Sequence, residues 1–300
     1  MIPFVAPPEF EYGRIDTVSP LIRRVIANNP GPFTFTGTGT YIVGRGEPGA
    51  GVAVIDPGPP DKDHLAALLA AVEGQTVSHV LVTHTHRDHA PLARPFADLV
   101  GAPILAAAPP PRTIHASATL DEEEDESFSP DIVLAGGERL EGDGWTLEAM
   151  ATPGHASNHM AFVLAEENAL FSGDHVMGWS TTVVAPPDGD MAAYMASLDA
   201  VIARTFTTIW PTHGAQIAEP APFLAAYKAH RLAREAQVLA RLAAGERRIA
   251  EMIPALYAAV DSRLWPAASL SVWAHLIALE QAGRVRAAPA PVIDADWTLA

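Results

Sequence analysis

The chain has 300 residues, of which 49% are hydrophobic, 18% charged and 7% aromatic, and its formal net charge is −16. This composition is typical of a globular protein and excludes a mainly disordered or fibrous chain. The excess of acidic residues disfavours nucleic acid as a partner, because it repels a phosphodiester backbone at long range.

Two absences in the sequence restrict the chemistry and the location that we expect. There is no cysteine, so disulfides and thiolate ligands are excluded and any metal must be held by nitrogen and oxygen. The N-terminal residues 1–10 are interrupted by prolines and carry no lysine or arginine, which is unlike a secretory signal. No apolar run approaches the length of a membrane-spanning helix. We therefore expect a cytoplasmic protein with no membrane segment.

Short apolar strands separated by turn residues dominate the first two thirds of the chain, which predicts a layered α/β domain with a large mixed or antiparallel sheet. The strands are predicted at residues 37–43, 52–55, 80–82, 104–105, 145–150, 161–164, 169–171 and 207–210. A helix is predicted at 62–72, because its leucines share one face. The acidic run 121–126 predicts a solvated loop, since crowded carboxylates repel one another.

The composition changes near Pro222, where a region rich in alanine and leucine begins. Helices are predicted at 223–243, 247–260 and 267–282, followed by a short strand at Val285. Residues 1–219 carry 10 basic and 28 acidic residues, a net charge of −18, whereas 220–300 carry 9 and 7, a net charge of +2. We therefore predict two domains, 1–219 and 220–300.

Apolar residues in this second domain predict a contact surface around Leu264, Trp265 and Trp273. Two explanations fit: contact between copies of the chain, which would make it a homo-oligomer, or contact between its own domains.

Three histidines and a carboxylate follow the predicted strand at 80–82 within six residues, as His84, His86, Asp88 and His89. Alternating residues of an extended chain project to one side, so His84 and His86 can reach one metal ion, and the two residues at the turn can reach a second. A polar loop without a metal is the alternative interpretation of this motif.

Three more candidate ligands follow the ends of other predicted strands. His155 lies in the sequence ATPGH, Asp174 in FSGD and His213 in PTHG. Side chains at the ends of neighbouring strands can converge, and the adjacent small residues allow the backbone segments to approach closely. These positions favour a metal site over a coincidental cluster.

The ordered motifs HxHxDH, PGH, SGD and THG resemble those of the metallo-β-lactamase fold superfamily. The resemblance implies an α/β fold of the αββα type, a sandwich with a binuclear metal site at one edge. It also implies the following roles: first metal, His84, His86 and His155; second metal, Asp88, His89 and His213; bridge between the two, Asp174; support of the ligand loop, Asp56.

Further motifs resemble the β-lactamase-like protein 2 subfamily, whose members carry a small C-terminal winged-helix domain. They are the sequences at residues 29–41, 173–182, 187–191 and 227–231. Residues 223–286 would form the winged helix. Members of this subfamily include a single-strand ribonuclease and thioester hydrolases. The resemblance therefore specifies the fold but leaves the substrate class open.

The resemblance implies a metal-dependent hydrolase in which two divalent cations share a bridging hydroxide that attacks the substrate. Zinc is the expected ion, although manganese and iron also accept nitrogen and oxygen ligands. Asp88 and Asp174 are the expected catalytic carboxylates, with Asp88 orienting the hydroxide or passing a proton to the leaving group. A small-molecule ester or thioester is the favoured substrate, because the metals alone can polarise its carbonyl.

Two other functions stay open. The chain could be a single-strand endoribonuclease whose C-terminal arginines guide RNA, and the C-terminal domain could be a dimerisation or partner-docking module. The remaining site predictions concern residues beside the ligands. His159 and His175 are expected to line the substrate pocket or to support the ligands, and Thr181 and Thr182 to line the pocket, with the start of a strand as the alternative for the two threonines. Surface or capping roles are expected for His64, His79, His115, His230 and His275.

Overall fold

A computed structural model describes residues 1–7, 9–109, 125 and 127–300, and places two β-sheets at the centre of the N-terminal part of the chain. The first sheet has seven strands in the order of the chain: Ile15–Thr17 (β1), Ile22–Ile26 (β2), Gly39–Val43 (β3), Gly51–Ile55 (β4), Thr76–Leu81 (β5), Ile104–Ala106 (β6) and Ile132–Val133 (β7). Strands β1 to β4 pair antiparallel, and β4 to β7 pair parallel.

The second sheet has five strands: Arg139–Glu141 (β8), Thr146–Ala151 (β9), Met160–Leu164 (β10), Ala169–Gly173 (β11) and Thr208–Pro211 (β12). Their order is β12-β11-β10-β9-β8. Only the β11–β12 pair is parallel. Both sheets are therefore mixed, and the strands divide into the two sheets of the expected sandwich.

The main core lies between the two sheets, and alternation along the strands builds it. In β3, Tyr41 and Val43 point into this core while Ile42 points to the opposite face. In β10, Phe162 points inward and Val163 outward. Because helices cover both outer faces, the strands are apolar on both sides.

Helices Lys62–Ala71 (α1) and Ala93–Val100 (α2) cover the outer face of the first sheet, where Leu68 and Phe96 are buried. Helix Met191–Ala203 (α3) and the first half of helix Pro220–Ala243 (α4) cover the second sheet. The four layers confirm the expected αββα sandwich.

The C-terminal residues form a separate small core. It is built by the second half of α4, helices Ile249–Leu256 (α5) and Trp265–Gln281 (α6), and the antiparallel strands Val285–Ala288 (β13) and Asp296–Leu299 (β14). Helix α4 belongs to both cores, because Phe223 packs on the sandwich and Val238 packs in the C-terminal unit. The division of the chain after residue 219 stays a prediction.

Several elements differ from the sequence prediction. Strand β2 was missed because Arg23 and Arg24 interrupt its apolar pattern, although both are buried and Arg23 Nη1 donates to the Ala71 carbonyl at 2.8 Å. Helices α2 and α3 were also missed, and α5 ends at Leu256 instead of continuing to residue 260. The segment 174–190 contains no strand, so the strand alternative for Thr181 and Thr182 is wrong.

The predicted contact surface near Trp273 is explained within the chain itself. Trp265 and Trp273 are partly buried against the C-terminal core, and Trp273 Nε1 donates to the Pro291 carbonyl at 3.1 Å. Leu264 is exposed. Association between copies stays a prediction. None of the helices in the described residues has the length and apolar character needed to cross a bilayer.

The acidic run 121–126 lies outside the described residues except for Asp125, and His115 lies outside them as well. For two of the other histidines, the expected surface or capping role is wrong. His64 and His275 are both buried, and His64 Nε2 lies 2.9 Å from Thr40 Oγ1.

We predict that His275 makes stability depend on pH. Burial, together with Arg231 and Arg234, lowers its pKa from 6.5 to about 3. Between these values the unfolded chain binds the proton that the folded chain rejects, so stability falls as pH drops below 6.5, by about 1.4 kcal/mol per pH unit for this group. In His275→Leu, the fall in the free energy of unfolding between about pH 6.5 and about pH 5 should therefore be smaller by roughly 1.6 kcal/mol in total. An unchanged slope in chemical denaturation would contradict the prediction.

Candidate metal centre

The seven predicted ligands all lie in loops at one edge of the sandwich. The loop after β5 carries His84, His86, Asp88 and His89, and the remaining three follow β9, β11 and β12: His155, Asp174 and His213. Strands from both sheets therefore deliver side chains to the same edge.

The structure brings these side chains together in three overlapping groups whose ligand atoms lie within 4.8 Å of one another. The groups are His84, His86 and His155; His84, His89 and Asp174; and Asp88, His89 and His213. The first and third groups match the two ligand sets that the family resemblance implies. Asp174 lies between them, because its carboxylate is 3.9 Å from His155 Nε2 and 3.4 Å from His213 Nε2.

The first group presents three ring nitrogens to one point. His86 Nδ1 lies 2.9 Å from His84 Nε2 and 3.1 Å from His155 Nε2. The outer ring nitrogens contact oxygens: His84 Nδ1 is 3.0 Å from Thr83 Oγ1, and His155 Nδ1 is 2.6 Å from the Val183 carbonyl. A ring that donates on one side presents a lone pair on the other. Lone pairs that converge on one point repel one another, and a cation bound at that point would remove this repulsion.

In the second group, too, the outer ring nitrogens contact oxygen atoms, and here carboxylates join the histidines. His89 Nδ1 lies 2.9 Å from Asp56 Oδ2, and His213 Nδ1 lies 3.2 Å from the Gly37 carbonyl. The Nε2 atoms of both rings then face Asp88 Oδ2, at 3.2 and 3.1 Å respectively. Imidazole nitrogen and carboxylate oxygen are a donor set that suits borderline divalent metals.

Electrostatics differ between the two groups. Burial, reinforced by His155, lowers the pKa of His86 to about 3, so this ring is neutral at pH 7 as a ligand must be. Burial would also lower the pKa of His213, but the carboxylates of Asp174 and Asp88 raise it to about 10. Burial would raise the pKa of Asp88, yet His89 and His213 hold it well below its usual range. A cation at this second group would replace protons that these histidines otherwise hold.

Asp56, for which the family resemblance implies support of the ligand loop, is fully buried and connects the ligand loops. Its Oδ1 accepts from the Thr83 backbone N–H at 2.8 Å. Its Oδ2 accepts from Thr83 Oγ1 at 2.8 Å and Thr212 Oγ1 at 3.1 Å, in addition to the contact with His89. Asp56 therefore fixes the loop after β5 and joins it to the end of β12 in the other sheet.

Three of the four residues expected in the substrate pocket are instead buried next to the backbone of Asp174. His159 is 1% exposed, and its Nε2 accepts from the Asp174 backbone N–H at 3.1 Å. Thr182 is 2% exposed and its Oγ1 donates to the Asp174 carbonyl at 2.8 Å. His175 is fully buried against the ring of Tyr194. Thr181 alone of the four is partly exposed.

An aromatic pair that sequence reasoning missed lies beside the second group. The rings of Phe35 and Trp179 stack at 4.6 Å, with 6° between their planes, and both residues are partly exposed. A Cβ added to Gly214, the neighbour of His213, would lie 3.2 Å from Trp179 and 3.6 Å from Phe35. Phe35 also has a positive φ of 54°, a conformation that costs energy in a non-glycine residue and is often found at functional sites. The sequence did offer one indication of this pair, because both residues lie in motifs that carry the family resemblance, 29–41 and 173–182.

Comparison with known families decides the assignment. Residues 35–213 match the family model of the metallo-beta-lactamase superfamily. The chain belongs to this superfamily. Residues 249–297 match the beta-lactamase associated winged helix domain, which confirms the C-terminal fold expected from the sequence. The chain is thus a metal-dependent hydrolase with a C-terminal winged helix.

Individual relatives agree with this assignment. The chain is 35% identical over 231 residues to an atrochrysone carboxyl ACP thioesterase from Aspergillus chevalieri, covering 76% of this chain and 68% of the relative. It is 33% identical to a beta-lactamase-like protein 2 homolog from Caenorhabditis elegans, covering 75% and 72%. A metallo-beta-lactamase family protein from Thermus thermophilus shares the fold, with a TM-score of 0.74 and 22% identity over 95% of this chain and 100% of that one.

We predict that Asp56→Asn weakens metal binding by about 10- to 100-fold, because the amide turns a donor toward groups that already donate to Asp56 and removes the charge that orients His89. Competition with a chromogenic chelator measures the affinity. Asp61→Asn is the control, since Asp61 also accepts backbone N–H groups but caps α1 away from the ligands. Equal metal affinities for the two variants would contradict the supporting role of Asp56.

Proposed function

We propose that the protein hydrolyses a small-molecule thioester or ester with two divalent cations, zinc being the expected ion, held by the seven residues predicted from the sequence. The observation that carries this proposal is the convergence of the ligands into two sets that share Asp174. Relatives named as thioesterases, at 35% and 32% identity, support the choice of substrate class.

The bound cations would supply Lewis acidity, which lowers the pKa of a water molecule toward 7 and polarises the substrate carbonyl. His84, His86 and His155 would hold one ion, and Asp88, His89 and His213 the other. Asp174 would contact both. The protein's own residues then orient these ligands, as Asp56 does for His89.

Asp88 is the residue that we assign to proton transfer. Its side chain is 20% exposed, whereas those of His89 and His213 beside it are at most 1% exposed. It is therefore the member of its group that substrate and solvent can reach. In this position the carboxylate can orient the attacking water, accept the proton that this water loses and pass that same proton to the leaving group.

Single-stranded RNA is the second candidate, and the contacts of four C-terminal arginines disfavour it. Arg231 is buried, and Arg234 Nη1 donates to the Leu256 carbonyl. Arg241 is paired with Glu246, and Arg248 with Asp296 at 2.9 Å. Four of the C-terminal arginines are thus engaged within the chain, which leaves fewer charges, those of the exposed Arg247 and Arg286 among them, for a phosphate backbone. The cytoplasmic location and the third candidate, a docking role for this unit, stay predictions.

The decisive experiment compares substrates on the zinc-reconstituted protein, using acyl-thioesters and labelled single-stranded RNA. We expect thioester hydrolysis that a chelator abolishes, that responds little to salt, and that falls by about 10³-fold or more in His84→Ala, because loss of a ligand removes several kcal/mol of stabilisation. His79→Ala is the matched control, a histidine of β5 that contacts Trp145 and not the ligands. RNA cleavage that weakens steeply with salt, without thioester hydrolysis, would contradict the proposal.

We further propose that the acyl group lies against the stacked rings of Phe35 and Trp179. Trp179→Ala should raise KM for a thioester with a large apolar acyl group about 5- to 10-fold, since an aromatic contact contributes about 1 kcal/mol. The effect on kcat and on metal content should be small. Trp265→Ala, in the C-terminal unit, is the control. An unchanged KM, or a loss of activity that follows a loss of metal, would contradict this assignment.

A further inference from the structure

The segment that carries Asp174 depends on helix α4 for its conformation. Residues 174–190 form neither helix nor strand, so their backbone groups need partners from elsewhere. Tyr227 of α4 provides two of them, because its hydroxyl accepts from the Thr182 N–H at 2.6 Å and donates to the Ser180 carbonyl at 3.0 Å. Tyr227 is fully buried, and burial raises the pKa of its hydroxyl, which keeps the proton it donates.

Arg231, one turn further along α4, holds the same segment. Its Nη2 donates to the Thr182 carbonyl, and its guanidinium carbon lies 4.9 Å from the centre of the Tyr194 ring. Arg231 is 3% exposed and forms no ion pair with an acidic residue in the part of the chain that the structure describes. A buried guanidinium without a counter-ion is costly, so its contacts with this segment are the interactions that hold it there.

Thr182 connects these contacts to the metal centre. Its Oγ1 donates to the Asp174 carbonyl at 2.8 Å, while the Asp174 N–H donates to His159 Nε2 at 3.1 Å. Tyr194 adds a hydrogen bond from its hydroxyl to the His175 carbonyl at 2.9 Å. Both backbone groups of Asp174 are thus fixed, one through His159 of the sandwich and the other through the contacts of α4.

We propose that Tyr227 and Arg231 are positioning residues that hold the Asp174 carboxylate between the two ligand sets. Helix α4, whose other half packs in the C-terminal core at Val238 and Leu242, is then part of the metal centre. The inference deepens the proposed function and rests on one element of it, that Asp174 is a metal ligand.

A second arginine of helix α4, Arg234, serves as a control for the role of Arg231. Arg234 also donates to a backbone carbonyl, that of Leu256 at 2.7 Å, and also lies over a tyrosine ring, that of Tyr257 at 4.0 Å. It makes the same two kinds of contact as Arg231, but with the C-terminal unit instead of the segment after Asp174. Comparison of the two arginines separates a general loss of stability from an effect on the metal centre.

The test compares Tyr227→Phe and Arg231→Met with Tyr257→Phe and Arg234→Met in the full-length protein. Metal affinity is measured by chelator competition with zinc, folding by circular dichroism, and kcat and KM with an acyl-thioester. We expect the first two variants to lose about 10- to 100-fold in the affinity for one of the two ions. Their kcat should fall in parallel while KM changes less than about twofold, because the substrate contacts are unaltered. The two control variants should keep wild-type metal affinity.

Equal metal affinities in all four variants would overturn the proposal, and so would losses that merely follow the loss of thermal stability. Tyr227→Phe removes only an oxygen atom, so its metal affinity tests the proposal even if Arg231→Met fails to fold. If the wild-type protein binds zinc but hydrolyses no thioester, the proposed substrate is contradicted, whereas the comparison of metal affinities still tests the role of Tyr227 and Arg231.

Discussion

One buried carboxylate, Asp56, is the interaction on which the rest of the site depends. It accepts hydrogen bonds from Thr83 after β5 and from Thr212 after β12, and it contacts His89. The two sheets of the sandwich are thereby joined at the edge where the ligands meet. A charge buried in this way is stable only when its hydrogen bonds are complete, so the carboxylate forces the ligand loops into a single arrangement.

Hydrogen bonds to oxygen atoms also orient the other histidine rings of the centre. Each ring of the centre that bonds an oxygen on one side leaves its other nitrogen for a metal, and the partners differ: Thr83 for His84, the Val183 carbonyl for His155, the Gly37 carbonyl for His213. Backbone carbonyls and a hydroxyl serve this purpose as well as a carboxylate does. Orientation of the histidines is therefore distributed over loops of both sheets.

The C-terminal unit is joined to the sandwich more closely than a tethered module would be. Helix α4 lies on the second sheet at Phe223 and enters the C-terminal core at Val238. Between these two points it presents Tyr227 and Arg231 to the segment after Asp174. Because packed interfaces do not deform freely, the buried contacts at its two ends fix this helix against both cores.

The sequence by itself determined the layers of the fold and predicted which side chains meet at the candidate metal centre, because both follow from local patterns. Strand ends marked by His84, Asp174 and His213 and runs of apolar residues are visible without coordinates. The order of the strands within the two sheets, the strand with buried Arg23, and the burial of His159, His175 and Thr182 next to Asp174 were decided only by tertiary structure. So was the stacking of Phe35 on Trp179. Each of these depends on contacts between residues distant in the chain, and a local pattern holds no information about which partner a side chain meets.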